Sequence, residues 1–114
     1  MKFKRKVTKN VIVITVTGKM MGGEDSQKFH DEIREILQEG YKYILLDLGK
    51  VKWMNSSGIG TLMSSWGSVL QKQGLLKLAN VTKKIESLLV ITQLIQFFET
   101  FESVDRAVAS FPSK

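Results

Sequence analysis

Three short apolar runs, residues 11–17, 41–48 and 75–78, limit what this chain can fold into. In the first, Val11, Val13, Thr15 and Thr17 alternate with Ile12, Ile14 and Val16. Both sets are apolar or β-branched, so the strand must be covered on both faces. The second centres on Tyr43-Ile44-Leu45-Leu46 and the third on Leu75 to Leu78, with the same character. Helical patterns separate the runs. Buried strands alternating with helices predict an α/β layer around a largely parallel sheet.

The punctuation completes the outline. Phe3 to Thr17 reads as two strands with a turn near Lys9-Asn10, an antiparallel edge that makes the sheet mixed. Gly18 ends the second strand, and Gly22-Gly23 opens a helix over 24–39. Phe29, Ile33, Ile36 and Leu37 form its apolar face, and Gly40 is its stop. Residues 49–54 read as a connection to a helix over 57–73, closed by Gly74. Thr82 caps a helix to about residue 92, and Ser103 caps one to about 110, before Pro112. Phe97, Phe98 and Phe101 mark a short strand or turn on the core. The expectation is a mixed four- to five-stranded sheet with about four helices.

The charge is uneven. The net charge is +6, and Lys2, Lys4, Arg5, Lys6 and Lys9 carry five positive charges before residue 10. Only Phe3 lies among them, too little aromatic surface for a nucleic-acid face. The cluster reads as a lysine-guarded edge strand with little part in partner choice. There is no cysteine, which removes disulfides and thiolate chemistry. No apolar stretch is long enough to span a membrane, and no signal peptide is evident, so the expected location is cytoplasmic. His30 lacks a second ligand for a metal. Asp47 lacks a nucleophile or base and is expected to accept backbone hydrogen bonds. No cofactor, metal or catalytic residue is expected.

The two longest helices differ. The first carries Lys28, Asp31, Glu32, Arg34, Glu35, Gln38 and Glu39, a face that wants water. In the second, Ile59, Leu62, Met63, Trp66, Val69 and Leu70 form a stripe expected to face the sheet. Opposite lie Ser57, Thr61, Ser64 and Ser68, flanked by Gly58, Gly60, Ser65 and Gly67. No charge appears from Asn55 through Val69. A surface helix normally carries Lys and Glu there. Packing inside the domain is one reading of these small residues; docking of a partner is the favoured one. The helix starts at Asn55-Ser56-Ser57-Gly58, where Asn55 and Ser56 both suit a cap. A phosphate on Ser56 would meet the positive end of the helix dipole, so the fold would tolerate it.

Residues 51–60, Val-Lys-Trp-Met-Asn-Ser-Ser-Gly-Ile-Gly, resemble the STAS-domain family of anti-sigma factor antagonists. The resemblance extends through Gly18, Ile44 to Leu48, Gly74 to Asn80, Ile85 to Leu89, Leu94 and the closing helix at 103–109. It implies one STAS domain over 1–114, and a bacterial regulator rather than an enzyme. The implied partner is an anti-sigma factor, often a serine kinase, whose capture frees a sigma factor. The kinase phosphorylates the serine of an Asp-Ser-Ser/Thr-Gly motif and a phosphatase reverses it. By that match the acceptor is Ser56, with Ser57 the lesser candidate. The implied binding surface is Asn55, Ser57, Gly58, Gly60, Thr61, Ser64 and Ser68 with Met21, Gly22 and Gly23. Asn55 replaces the family's Asp, and Met20-Met21-Gly22-Gly23 replaces a more acidic loop. The alternative is a scaffold or adaptor, without a phosphoryl switch, in a signalling or lipid-transport complex.

Overall fold

The computed structural model describes residues 1–113. Its elements are β1 (Lys2–Thr8), β2 (Val11–Met20), α1 (Glu24–Gln38), β3 (Tyr43–Met54), α2 (Ser56–Gln71), β4 (Leu75–Ala79), α3 (Lys83–Ile91), β5 (Thr100–Phe101) and α4 (Val104–Ser110). A 3-10 turn, Ile95–Phe97, precedes β5. The strands form one sheet in the order β1-β2-β3-β4-β5. Only the β1–β2 pair is antiparallel. The expected α/β class, mixed sheet and four helices are all present.

Strands β2 to β5 lie side by side in chain order. Right-handed crossovers between parallel strands that step in one direction leave every connecting helix on one face. Accordingly α1, α2 and α3 cover the same side. There Phe29, Ile33, Ile36, Ile59, Leu62, Val69, Ile85 and Leu89 bury against Ile12, Ile14, Val16, Ile44, Leu46 and Leu78. Only α4 follows the last strand, and it folds onto the other face, where Ala107, Val108 and Phe111 meet Val11, Val13, Leu45 and Ala79. This double cover is why both residue sets of β2 are apolar.

Two expectations about strand ends change. Gly18 does not stop β2: it takes a left-handed φ of 102°, and the strand runs on to Met20. Residues 49–54 are not a connection but the second half of β3. Lys19 pairs with Trp53 and Met20 with Met54, past register shifts on either side of residues 17–18. The shifts break the two-residue alternation that would have shown the strand. Asp47 behaves as expected: its Oδ1 accepts from Gly49 N–H at 3.1 Å and from the Asn80 amide at 3.1 Å.

Candidate functional site at the start of α2

The extended β3 delivers the chain to α2 beside the end of β2. Asn55 is the cap: its Oδ1 accepts from Gly58 N–H at 2.8 Å. Its side-chain amide also donates to the Met21 carbonyl at 3.0 Å, and its backbone N–H donates to the Met20 carbonyl at 3.3 Å. One residue thus ends the strand, starts the helix and holds the 20–23 loop against it. Ser56 is the first helical residue and not the cap, and it is exposed, as is Ser57. The loop is in close contact here, since a Cβ on Gly22 would lie 2.6 Å from Ser57 Cβ. Gly23, exposed, precedes the first turn of α1. Asn55, Ser56, Ser57, Met21 and Gly22 are therefore assembled at one end of the sheet. The parallel strands show no reversal of order, so no crevice of the doubly wound kind opens there; the feature is a surface.

The small-residue face of α2 divides into two. Gly60, Ser64 and Ser68 are exposed. Thr61 is only 4% exposed: its hydroxyl lies 2.5 Å from that of Ser26 on α1 and donates to the Ser57 carbonyl at 3.0 Å. Gly58 is buried, with the Met20 carbonyl where a Cβ would stand, and Ser65 is fully buried. Thr61 and Gly58 are packing residues that no partner can touch directly, which corrects the expectation for both. Helix α2 packs on the sheet, on α1 and, through Trp66, on the 3-10 turn, so it buries more than one stripe. Trp66 is half-buried against Phe97 and Phe98, centroids 5.4 and 6.3 Å away. Leu70 leaves the expected core stripe and is 40% exposed. Ser64 and Ser68 line a groove of about 400 Å³ between α1 and α2 that also contains half-buried His30.

Two large apolar side chains are exposed on the segments that lead to this end of the sheet, Met21 just after β2 and Trp53 near the end of β3. Met21 is 45% exposed and Trp53 is 38% exposed. Lys84 Nζ stands 5.6 Å from the centre of the Trp53 ring. Sequence reasoning missed Trp53 because it assigned residues 49–54 to a connection. Val51 and Met54, both buried, stand three residues apart, a spacing that carries no strand period, so no local signal marked the strand's continuation. Among the described residues no group of three or more His, Cys, Asp or Glu side chains could hold a metal ion.

A family model described as the STAS domain matches residues 2–107. The chain belongs to the STAS domain family. Among STAS relatives, a candidate anti-sigma factor antagonist from Thermotoga neapolitana is 25% identical over 107 residues, 93% of this chain and 94% of that protein. The crystal structure of a candidate anti-sigma factor antagonist from Thermotoga maritima superposes with a TM-score of 0.85 at 22% identity, covering 94% of this chain and 92% of that one. The phosphorylated form of the Bacillus cell-fate determinant SpoIIAA gives 0.74 at 17% identity, covering 95% and 97%. At these identities the two structural likenesses establish a shared STAS fold. No helix among the described residues is long and apolar enough to cross a membrane.

Proposed function

We propose that this STAS protein is an anti-sigma factor antagonist whose binding surface is the start of α2, switched by phosphorylation of Ser56. The observation that carries the reading is the exposed first-turn serine held in place by Asn55 and the 20–23 loop. Met21, Gly22 and Ser57 share this end of the sheet with it, Trp53 precedes it near the end of β3, and Gly60, Ser64 and Ser68 continue along the exposed face of α2. The apolar pair supplies contact area, and the small uncharged residues admit another backbone closely. In the unphosphorylated form this surface captures an anti-sigma factor with serine-kinase activity and so releases a sigma factor. The chain works in the cytoplasm as a binding protein and not as an enzyme.

Phosphorylation of Ser56 adds a charge of about −1.5 to −2 where the helix start favours a negative charge. The fold tolerates the group. The docking surface does not, because a dianion pressed against a partner without a matching cation must be desolvated unpaired. A phosphatase restores binding. The alternative, an unswitched scaffold, draws on Asn55, which keeps the cap but removes the carboxylate found in the family's motif.

The test is calorimetric titration of the cognate anti-sigma kinase with wild type and Ser56→Asp, beside their melting temperatures. The expected result is weaker binding with melting unchanged within a few degrees. Equal affinities reject the charge-exclusion mechanism, and a large fall in melting temperature makes Ser56 a structural residue and favours the scaffold. Intact mass after incubation with kinase and ATP, repeated with Ser56→Ala, identifies the acceptor.

A further inference from the structure

Strand β1 stands at the edge of the sheet and pairs with β2 alone, in unbroken register from Lys2–Thr17 to Thr8–Val11. Along its other side, alternate residues turn backbone N–H and C=O groups outward. The two faces of the strand differ sharply. Phe3, Arg5 and Val7 lie across from Val16, Ile14 and Ile12, on the side of α1 and α2. There Phe3 packs edge-on against Phe29. Arg5 is held by Glu32, Glu35 and Glu39. Val7 is left 52% exposed. Lys2, Lys4 and Lys6 lie on the opposite face, across from Thr17, Thr15 and Val13, and are exposed. Among the described residues these three lysines have no ion pair. Lys50, next to Thr17 on its other side, extends the row. Asp47, next to Thr15, is already committed to Gly49 and Asn80.

We propose that the free edge of β1 is a docking site for an extended acidic segment of another protein, with Asp or Glu at alternate positions and apolar residues between them. Added as a further strand, such a segment sets its carboxylates beside Lys2, Lys4 and Lys6 on one face. Its apolar residues fall beside Phe3 and Val7 on the other. Backbone hydrogen bonds supply the attachment, and alternate side chains supply the choice of partner. The same lysines reject a second copy of β1, because two-fold pairing sets lysine against lysine. The guarding of this edge is therefore selective by charge. A nucleic-acid strand is the weaker occupant: the outer face of β1 offers no aromatic ring on which a base could stack. The site is formed by β1 and is independent of the Ser56 reading.

The test is an NMR titration of the full chain with a seven-residue peptide alternating Glu and Val, matched to the 7 residues of β1. Shift changes concentrated on β1 amides are expected, with affinity falling as salt is raised. The combined Lys2→Glu, Lys4→Glu and Lys6→Glu variant is expected to bind about tenfold more weakly, from three cross-strand charge pairs. The peptide N-methylated at every residue has no N–H to donate to the edge on either side and is expected not to bind wild type, an arm that does not depend on the variant folding. The proposal is overturned if the β1 amides do not respond, or if charge reversal leaves the affinity unchanged. Equal binding by the N-methylated peptide, or by one with its glutamates clustered, also overturns it. So does tighter binding of an oligothymidine single strand.

Discussion

Two alanine substitutions, two residues apart on α2, should move stability in opposite directions. At Gly58 an added Cβ would overlap the Met20 carbonyl oxygen and lie 2.7 Å from its carbonyl carbon and 3.1 Å from Met20 Cβ. Relief requires the start of α2 to back away from β2 by about 1 Å or more, since close-packed atoms have little room to yield. The shift loosens Met20, Met54 and Ile59, all buried, and strains the Asn55 cap. Overpacking of this kind costs ~1–3 kcal/mol, and weakening the cap adds ~1 kcal/mol. The better helix propensity of alanine returns at most ~1 kcal/mol. The net loss is about 2 kcal/mol. At Gly60 a Cβ has no neighbour within 4 Å, so Gly60→Ala should gain ~0.5–1 kcal/mol. The two variants should therefore differ by about 3 kcal/mol, on the order of 10–20 °C in melting temperature for a domain of this size. Urea unfolding followed by tryptophan fluorescence, with calorimetry beside it, measures the difference. A Gly58→Ala protein as stable as wild type would refute the close approach of α2 to β2. In binding assays Gly60→Ala should weaken partner capture although the fold is firmer, because its methyl stands on the open part of the helix.

Asn55→Ala should cost ~1–2 kcal/mol by removing the Gly58 cap and the Met21 tether together, whereas Asn55→Asp should keep the cap and lose only the tether; urea midpoints separate the two. Arg5→Met should lower stability by ~1 kcal/mol by leaving Glu32, Glu35 and Glu39 without their cation, and the deficit should shrink in 1 M NaCl. Lys77 is buried beneath α4, with Nζ 3.1 Å from the Ser110 carbonyl, 3.0 Å from its hydroxyl and 4.7 Å from the Phe111 ring centre. Lys77→Met should stay within ~1.5 kcal/mol of wild type because it fills the same space, while Lys77→Ala should lose at least ~2 kcal/mol; thermal melts decide.

Legibility in the sequence followed the range of each interaction. The caps at Asn55, Thr82 and Ser103 depend on a residue three positions away, and all three are present. The helical periods of α1 and the twofold cover of β2 likewise follow from near neighbours. Thr61 was misread because its partner, Ser26, lies 35 residues earlier. A single-stripe helical reading assigns one buried direction, while α2 packs against both the sheet and α1. Residues 49–54 looked like a connection because the strand pairs there through a register shift set by its neighbour. At the candidate site, the serine and its cap could be read from the sequence. Met21 entered only through the family resemblance and the exposed Trp53 not at all, since its position depends on where two separate strands end.

The sheet separates the interior into two compartments of unequal strength, and α4 alone closes the smaller one. At 7 residues it is well below the ~12–15 at which an isolated helix begins to hold in water, so its order comes from docking. Amide exchange should accordingly reveal two tiers: α4 opening at low cost in a sub-global step, and the strands beneath releasing their protons only with the whole domain. Each opening event bares Val11, Val13 and Leu45 in the middle of the sheet, a β-branched surface of the type that seeds aggregation. The Lys77–Ser110 contacts act as a latch on that door. The shelf life of the protein should thus depend more on how often α4 lifts than on the stability of the larger core.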